Sequence, residues 1–320
     1  MSRLVAVLRS RWVRAGFVLV AVSAAVVAVV QQRAEIADAV TQVPPAAVGA
    51  ALVVSVAYVV CTMLSWRAVL ADLGSRLPVT QAFGLFGVSQ LGKYVPGGVW
   101  NIVAAGELGA DLAIPRRRSM SAMAVAVLVS VVSGLALGLP ALAVADTHAL
   151  DLWWLWLVAP LCVAALVPPV LNRLLAAAMR LARREPLEHP LTTRGTLVAT
   201  AWALLGWVVV GAQVWLLAAA LGVPATPSSF LLAVGAYALA WVVGFLVVVT
   251  PAGLGARELV LGALMAPVLG GGGGGVVVLV LMSRIVQTAG DLVVAGVGAL
   301  GARRARTLQA PAPPGERSAR

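Results

Sequence analysis

Long apolar runs separated by short polar clusters occupy the chain from about residue 15 to residue 300. They fall at 15–30, 46–66, 119–145, 152–172, 197–221, 229–249 and 276–300. About 20 apolar residues in a helix cross the hydrocarbon core of a bilayer. None of the runs alternates with the period of two that marks an outer-membrane barrel strand. Helices are the other way to satisfy backbone polar groups in lipid, so each run reads as a membrane helix. Trp153, Trp154 and Trp156 open the fourth run, as an interfacial aromatic belt would.

Two apolar stretches are interrupted. Between 79 and 111, two short pieces flank Gly92-Lys93-Tyr94-Val95-Pro96-Gly97-Gly98. Between 229 and 269, the break is Thr250-Pro251-Ala252-Gly253-Leu254-Gly255. Basic loops stay on the cytoplasmic side, and this sets the direction of each stretch. Arg3, Arg9, Arg11 and Arg14 hold the N-terminus inside, and Glu35 and Asp38 fall outside. Arg67 and Arg76 are inside, and so are Arg116, Arg117 and Arg118. The stretch 79–111 therefore leaves and re-enters the same face, as a re-entrant hairpin does. Asp146 and Asp151 fall outside, the arginines from 173 to 194 inside, and Arg303, Arg304 and Arg306 bring the C-terminus inside. The stretch 229–269 then begins and ends outside, as two spans or as a second hairpin. Broken segments of opposite direction, one in each half, mark inverted-repeat transporters. The plainer explanation is that Pro and Gly are common in membrane helices.

The expected fold is an all-α polytopic transmembrane helix bundle of six to eight spans. It contains one or two re-entrant broken segments and an inverted repeat. Residues 1–301 form the membrane domain, and 302–320 a disordered basic cytoplasmic tail. Composition agrees: 61% of the 320 residues are apolar and 11% charged, against about 25% charged in soluble domains. Mean hydropathy is +1.00. The net charge of +11 invites a nucleic-acid partner, but its clustering between apolar runs argues against one. A cleaved signal peptide is disfavoured because the first run is long enough to span and no small-x-small site precedes Gln31. The glycines at 270–275 read as a connector, with no phosphate-loop lysine following.

Little in the chain suggests catalysis. Cys61 and Cys162 lie in apolar runs, and His148 and His189 are far apart, so neither a metal site nor a cofactor is expected. A serine nucleophile elbow, a His-Glu-x-x-His helix and a Walker lysine are all missing. Glu107 and Asp111 have an acid/base spacing but no nucleophile beside them.

Charges inside the apolar regions are the candidate site: Lys93, Glu107, Arg257, Glu258, Arg284 and Asp291. Each costs roughly 2.5–3.5 kcal/mol at mid-bilayer unless paired or wetted. Mutual structural pairing is the plain reading. Arg284, Gln287 and Asp291, however, stack on one stripe of the last helix. Lys93 stands at the first break, and Arg257 just after the second. If the breaks meet, three cations converge on one cavity suited to an anionic lipid headgroup. Glu107, Glu258, Gln287 and Asp291 would then set position and charge balance. Gly92, Pro96, Gly97, Pro251, Gly253 and Gly255 would shape the breaks.

At those breaks the chain resembles a known family. Gly92-Lys93-Tyr94-Val95-Pro96-Gly97-Gly98-Val99-Trp100 is similar to the first signature of the lysylphosphatidylglycerol synthase transmembrane region, a flippase-like family. Thr250-Pro251-Ala252-Gly253-Leu254-Gly255-Ala256-Arg257-Glu258 is similar to its second. Gly98 stands where relatives often carry a basic residue, and Ala252 replaces a common glycine. The resemblance implies a membrane domain that moves or handles phospholipid, in some members aminoacylated phosphatidylglycerol. Full-length synthases add a soluble aminoacyl-transferase domain; only a short tail follows the last run here, so lysyl transfer is not expected. The expected function is that of a lipid flippase or transporter for anionic or aminoacylated phospholipid, in the bacterial inner membrane with both termini cytoplasmic. The alternatives are a carrier of another anion or of a polyprenyl-linked substrate, and a scaffold for a separate synthase or glycosyltransferase.

Overall fold

The computed structural model describes residues 41, 43–94, 99–144, 155–181, 189–247, 253–270 and 273–309. The expected span at 15–30, the residues Pro96, Gly97 and Pro251, and the chain beyond 309 lie outside this set. Ten α-helices and no strand occur among the described residues. They are α1 (Pro45–Asp72), α2 (Val79–Gln90), α3 (Trp100–Ala110), α4 (Arg116–Val144) and α5 (Leu155–Ala165). Then come α6 (Pro168–Leu181), α7 (Thr193–Ala220), α8 (Pro227–Leu246), α9 (Ala256–Met265) and α10 (Gly273–Gln309). Five of them, α1, α4, α7, α8 and α10, are long and apolar enough to cross a membrane. The last helix continues past residue 302, where the tail was expected to begin.

One expected span is bent. The run 152–172 holds two shorter helices, α5 and α6, which meet at Leu166 and Val167. Pro168 and Pro169 explain the bend: each lacks a backbone donor and restricts the residue before it, yet Pro168 opens α6 comfortably. Helix α6 is amphipathic, with Leu171 and Leu175 buried and Arg173 and Arg180 exposed.

Lipid is as apolar as leucine, so helices in a membrane associate through close packing and hydrogen bonds. Both devices appear here. Helices α1 and α7 lie together, with Ser65 Oγ donating to the Ala199 carbonyl at 2.8 Å. The Asp72 carboxylate at the end of α1 accepts from Thr192 N at 2.7 Å and Thr192 Oγ1 at 2.6 Å, just before α7. Trp207 of α7 is fully buried and donates to Ser133 Oγ of α4 at 3.0 Å. Where α2 meets α10, the contact is backbone on backbone: a Cβ on Gly87 would lie 2.9 Å from the Val294 carbonyl oxygen, and one on Gly298 would lie 2.8 Å from Gly84 Cα.

Helix α10 serves as a ruler for both interrupted stretches. Along its second half, Gly298 faces Gly84, Val294 faces Gly87, and Asp291 meets Lys93. Helix α2 thus runs antiparallel to α10, and its tip reaches the middle of α10. Along the first half, Val276 and Val280 face Gly262, and Arg284 meets Glu258. Helix α9 is therefore antiparallel to α10 as well, and its broken end also reaches the middle. The two breaks approach one level of the bundle from opposite ends, as the charge pattern requires. Of the two forms left open for 229–269, two full spans are ruled out. Helix α8 has 20 residues, but α9 has only 10, about 15 Å of rise.

Candidate functional site

Between the breaks lies a cavity of about 130 Å³, lined by α1, α2, α4, α8, α10 and both interrupted segments. The first break follows α2 as a single tight turn, Leu91–Tyr94. Gly92 makes the reversal feasible, because a Cβ there would sit 2.6 Å from the backbone nitrogen of Asn101. The turn delivers Lys93 and Tyr94 to one acceptor. Lys93 Nζ lies 2.7 Å from Asp291 Oδ2, and Tyr94 OH donates to the same oxygen at 2.6 Å. The Lys93 side chain keeps 30% of its surface exposed, whereas that of Asp291 has none.

The second break is built on glycines in the left-handed region, Gly253 at φ +70° and Gly255 at φ +89°. These are conformations that side-chain-bearing residues adopt only with strain. Gly253 also presses on Gly244 of α8, where a Cβ would meet backbone at 2.8 Å. Beyond the break, Glu258 does two things in the first turn of α9. Its Oε2 accepts the Gly255 N–H at 2.7 Å, and its Oε1 pairs with Arg284 Nη1 at 3.2 Å. A carboxylate at a helix N-terminus is favoured by the helix dipole, so the brace is stable where it stands.

Arg257 is placed differently. It is buried, with 8% exposure, and its Nη2 donates to Tyr237 OH at 2.6 Å. The guanidinium lies over the Tyr237 ring, 4.6 Å from its centroid. Among the described residues no carboxylate forms an ion pair with it. Tyr237 OH in turn donates to Gln287 Oε1 in a long hydrogen bond of 3.4 Å. Two more polar atoms are buried without a partner, Gln287 Nε2 and Asp291 Oδ1. Chemically the cavity offers a guanidinium short of an anion, a free donor and a free acceptor.

The structure brings Lys93, Arg257, Arg284, Gln287 and Asp291 to the cavity wall, with Glu258 behind Arg284. Gly92, Gly253 and Gly255 shape the breaks. Glu107 is not with them. It lies in α3, beyond the cavity-lining Asn101, and forms an exposed pair with Arg116 Nη2 at 2.9 Å, the two side chains being 62% and 63% exposed. Its expected part in the charge balance of the site has no basis there. None of the tyrosines was among the expected site residues, although Tyr94 stands in the first break. The chain has only 3. Tyr58 and Tyr94 line the cavity, and Tyr237 holds Arg257. A hydroxyl inside an apolar run must find a partner, and that was the available signal. No three His, Cys, Asp or Glu among the described residues are grouped to hold a metal.

Long apolar helices, two opposed breaks and a charged interior cavity define a polytopic helical membrane protein of the multi-pass class. A family model described as the lysylphosphatidylglycerol synthase TM region matches residues 15–295, and the chain belongs to that family. No curated protein matches it.

Proposed function

We propose that this protein is a lipid carrier of the bacterial cell membrane, with both termini cytoplasmic, which binds a phospholipid headgroup of the phosphatidylglycerol type in the cavity and passes it between leaflets. The observation that carries the reading is Arg257. A charge removed from water costs several kcal/mol unless an ion answers it, and a tyrosine hydroxyl and ring face answer only part. An anionic phosphate oxygen supplies the rest, through the guanidinium N–H groups that Tyr237 leaves free. Arg284 and Lys93 stand on the same wall, each already balanced by a carboxylate.

The surroundings suit a lipid. Phe245 lines the cavity beside Trp241 and is 36% exposed. Leu246 and Leu254, on either side of the second break, are exposed and apolar. A headgroup entering there leaves its acyl chains against apolar surface outside. The two breaks, approaching from opposite ends, give the cavity one wall that belongs to each side of the membrane. That is the arrangement alternating access needs.

The test is reconstitution of the whole chain into liposomes containing acyl-labelled phosphatidylglycerol, followed by a membrane-impermeant quencher. Wild type is expected to expose the inner-leaflet label, and Arg257→Ala to leave it protected. If wild type also leaves it protected, the carrier reading is wrong.

A further inference from the structure

The charge of the cavity says which headgroup it takes. Three cations, Lys93, Arg257 and Arg284, face it, and two carboxylates, Asp291 and Glu258, answer them. Two of the three cations are matched in space: Lys93 pairs with Asp291, and Arg284 with Glu258. One positive charge is left over, and it is the buried Arg257. Coulomb interactions grow as the surrounding dielectric falls, so a net charge at this depth weighs heavily on what binds. Resting on the carrier reading above, we infer that the site selects a lipid whose headgroup carries a single phosphodiester charge and an otherwise neutral, hydroxyl-bearing group, and that it discriminates against headgroups bearing an ammonium.

A monoanion cancels the surplus. A zwitterionic headgroup leaves it standing, and an aminoacyl ester with two ammonium groups adds to it. An incoming ammonium would also need a carboxylate, and neither has negative charge to spare. Asp291 Oδ2 is shared between Lys93 and Tyr94, and both oxygens of Glu258 are taken. The atoms that remain without partners are Asp291 Oδ1, an acceptor whose charge Lys93 already offsets, and Gln287 Nε2, a neutral donor. They sit one helical turn apart on the same stripe of α10, where side chains four residues apart are neighbours. A hydroxyl both donates and accepts, so it satisfies the two together, while Gln287 is tied through Tyr237 to the guanidinium that takes the phosphate.

The experiment compares four acyl-labelled lipids with the full chain: phosphatidylglycerol, phosphatidylmethanol, phosphatidylethanolamine and lysylphosphatidylglycerol. Each is assayed twice, by quenching in proteoliposomes and by displacement of phosphatidylglycerol from the purified protein in detergent. Phosphatidylglycerol is expected to bind at least about tenfold better than either ammonium-bearing lipid, since charge-assisted contacts exceed neutral ones. It should exceed phosphatidylmethanol, which has the charge but no hydroxyl, by about threefold to tenfold. Gln287→Leu should shrink that second ratio and leave the first in place. Equal or better binding of lysylphosphatidylglycerol or phosphatidylethanolamine overturns the inference, and so does parity between phosphatidylglycerol and phosphatidylmethanol. A clear preference in binding without any movement in liposomes sinks the carrier reading and upholds the headgroup assignment.

Discussion

The two breaks face one cavity with different chemistry. At the first, Lys93 and Tyr94 converge on a single oxygen of Asp291, and the lysine remains partly open to its surroundings. At the second, left-handed glycines carry a turn whose Gly255 N–H is bound by the Glu258 carboxylate, and Tyr237 holds the buried Arg257 guanidinium. The first gathers polar contacts from a turn onto one carboxylate oxygen; the second sets a buried guanidinium against an aromatic ring. A carrier needs both, because a site that holds its cargo firmly must still let one wall yield. In the proposed carrier, ligand holding would fall to the second break and closure to the first.

The largest effect that could break this division is at Arg257. Arg257→Lys keeps the charge but loses the fork and the planar stacking on Tyr237, and lipid movement should fall by at least about tenfold. If Lys93→Arg is the more damaging of the two in the same assay, the roles are reversed. Next is Gly253→Ala, which places a Cβ against the Gly244 backbone and forces a left-handed alanine. A loss of about 1–3 kcal/mol is expected, read as lower thermal stability in detergent together with lost movement. A smaller change should follow Tyr94→Phe. It deletes one of two bonds to Asp291 Oδ2, worth about 0.5–1.5 kcal/mol, and should alter the rate of movement more than the affinity. Smallest is Glu107→Gln. Its exposed pair with Arg116 is worth at most about 1 kcal/mol, and both movement and headgroup preference should be unchanged.

Much of this was legible beforehand, for physical reasons that differ from place to place. Apolar length alone marks α1, α4, α7, α8 and α10, because spanning lipid demands it. The opposed approach of the breaks followed from Arg67, Arg76 and the arginines at 116–118, since basic loops stay on one side. The stripe Arg284, Gln287 and Asp291 could be read because helical periodicity is regular. What escaped depended on contacts between distant segments. Tyr237 lies in an uninterrupted apolar run with nothing in its neighbourhood to announce Arg257, 20 residues on. Glu107 looked like an intramembrane charge, but it forms an exposed pair with Arg116. At Pro168 and Pro169 the local signal was present, but the hydrophobicity of the whole run outweighed it in the reading.

The close contact between α2 and α10 places a sensitive point beside the charges and outside their pairs. Gly84, Gly87, Val294 and Gly298 set the spacing of the two helices mainly by backbone atoms, with the Val294 side chain also close to Gly87. A single methyl group at Gly87 or Gly298 would act as a wedge at the base of a lever whose far end carries Lys93. Val294 lies only three residues, about 4.5 Å of rise, from Asp291, so prying the helices apart there would stretch the Lys93–Asp291 pair without touching either partner. The smallest side chains of the hairpin thus hold the tolerance to which the charged cavity is machined.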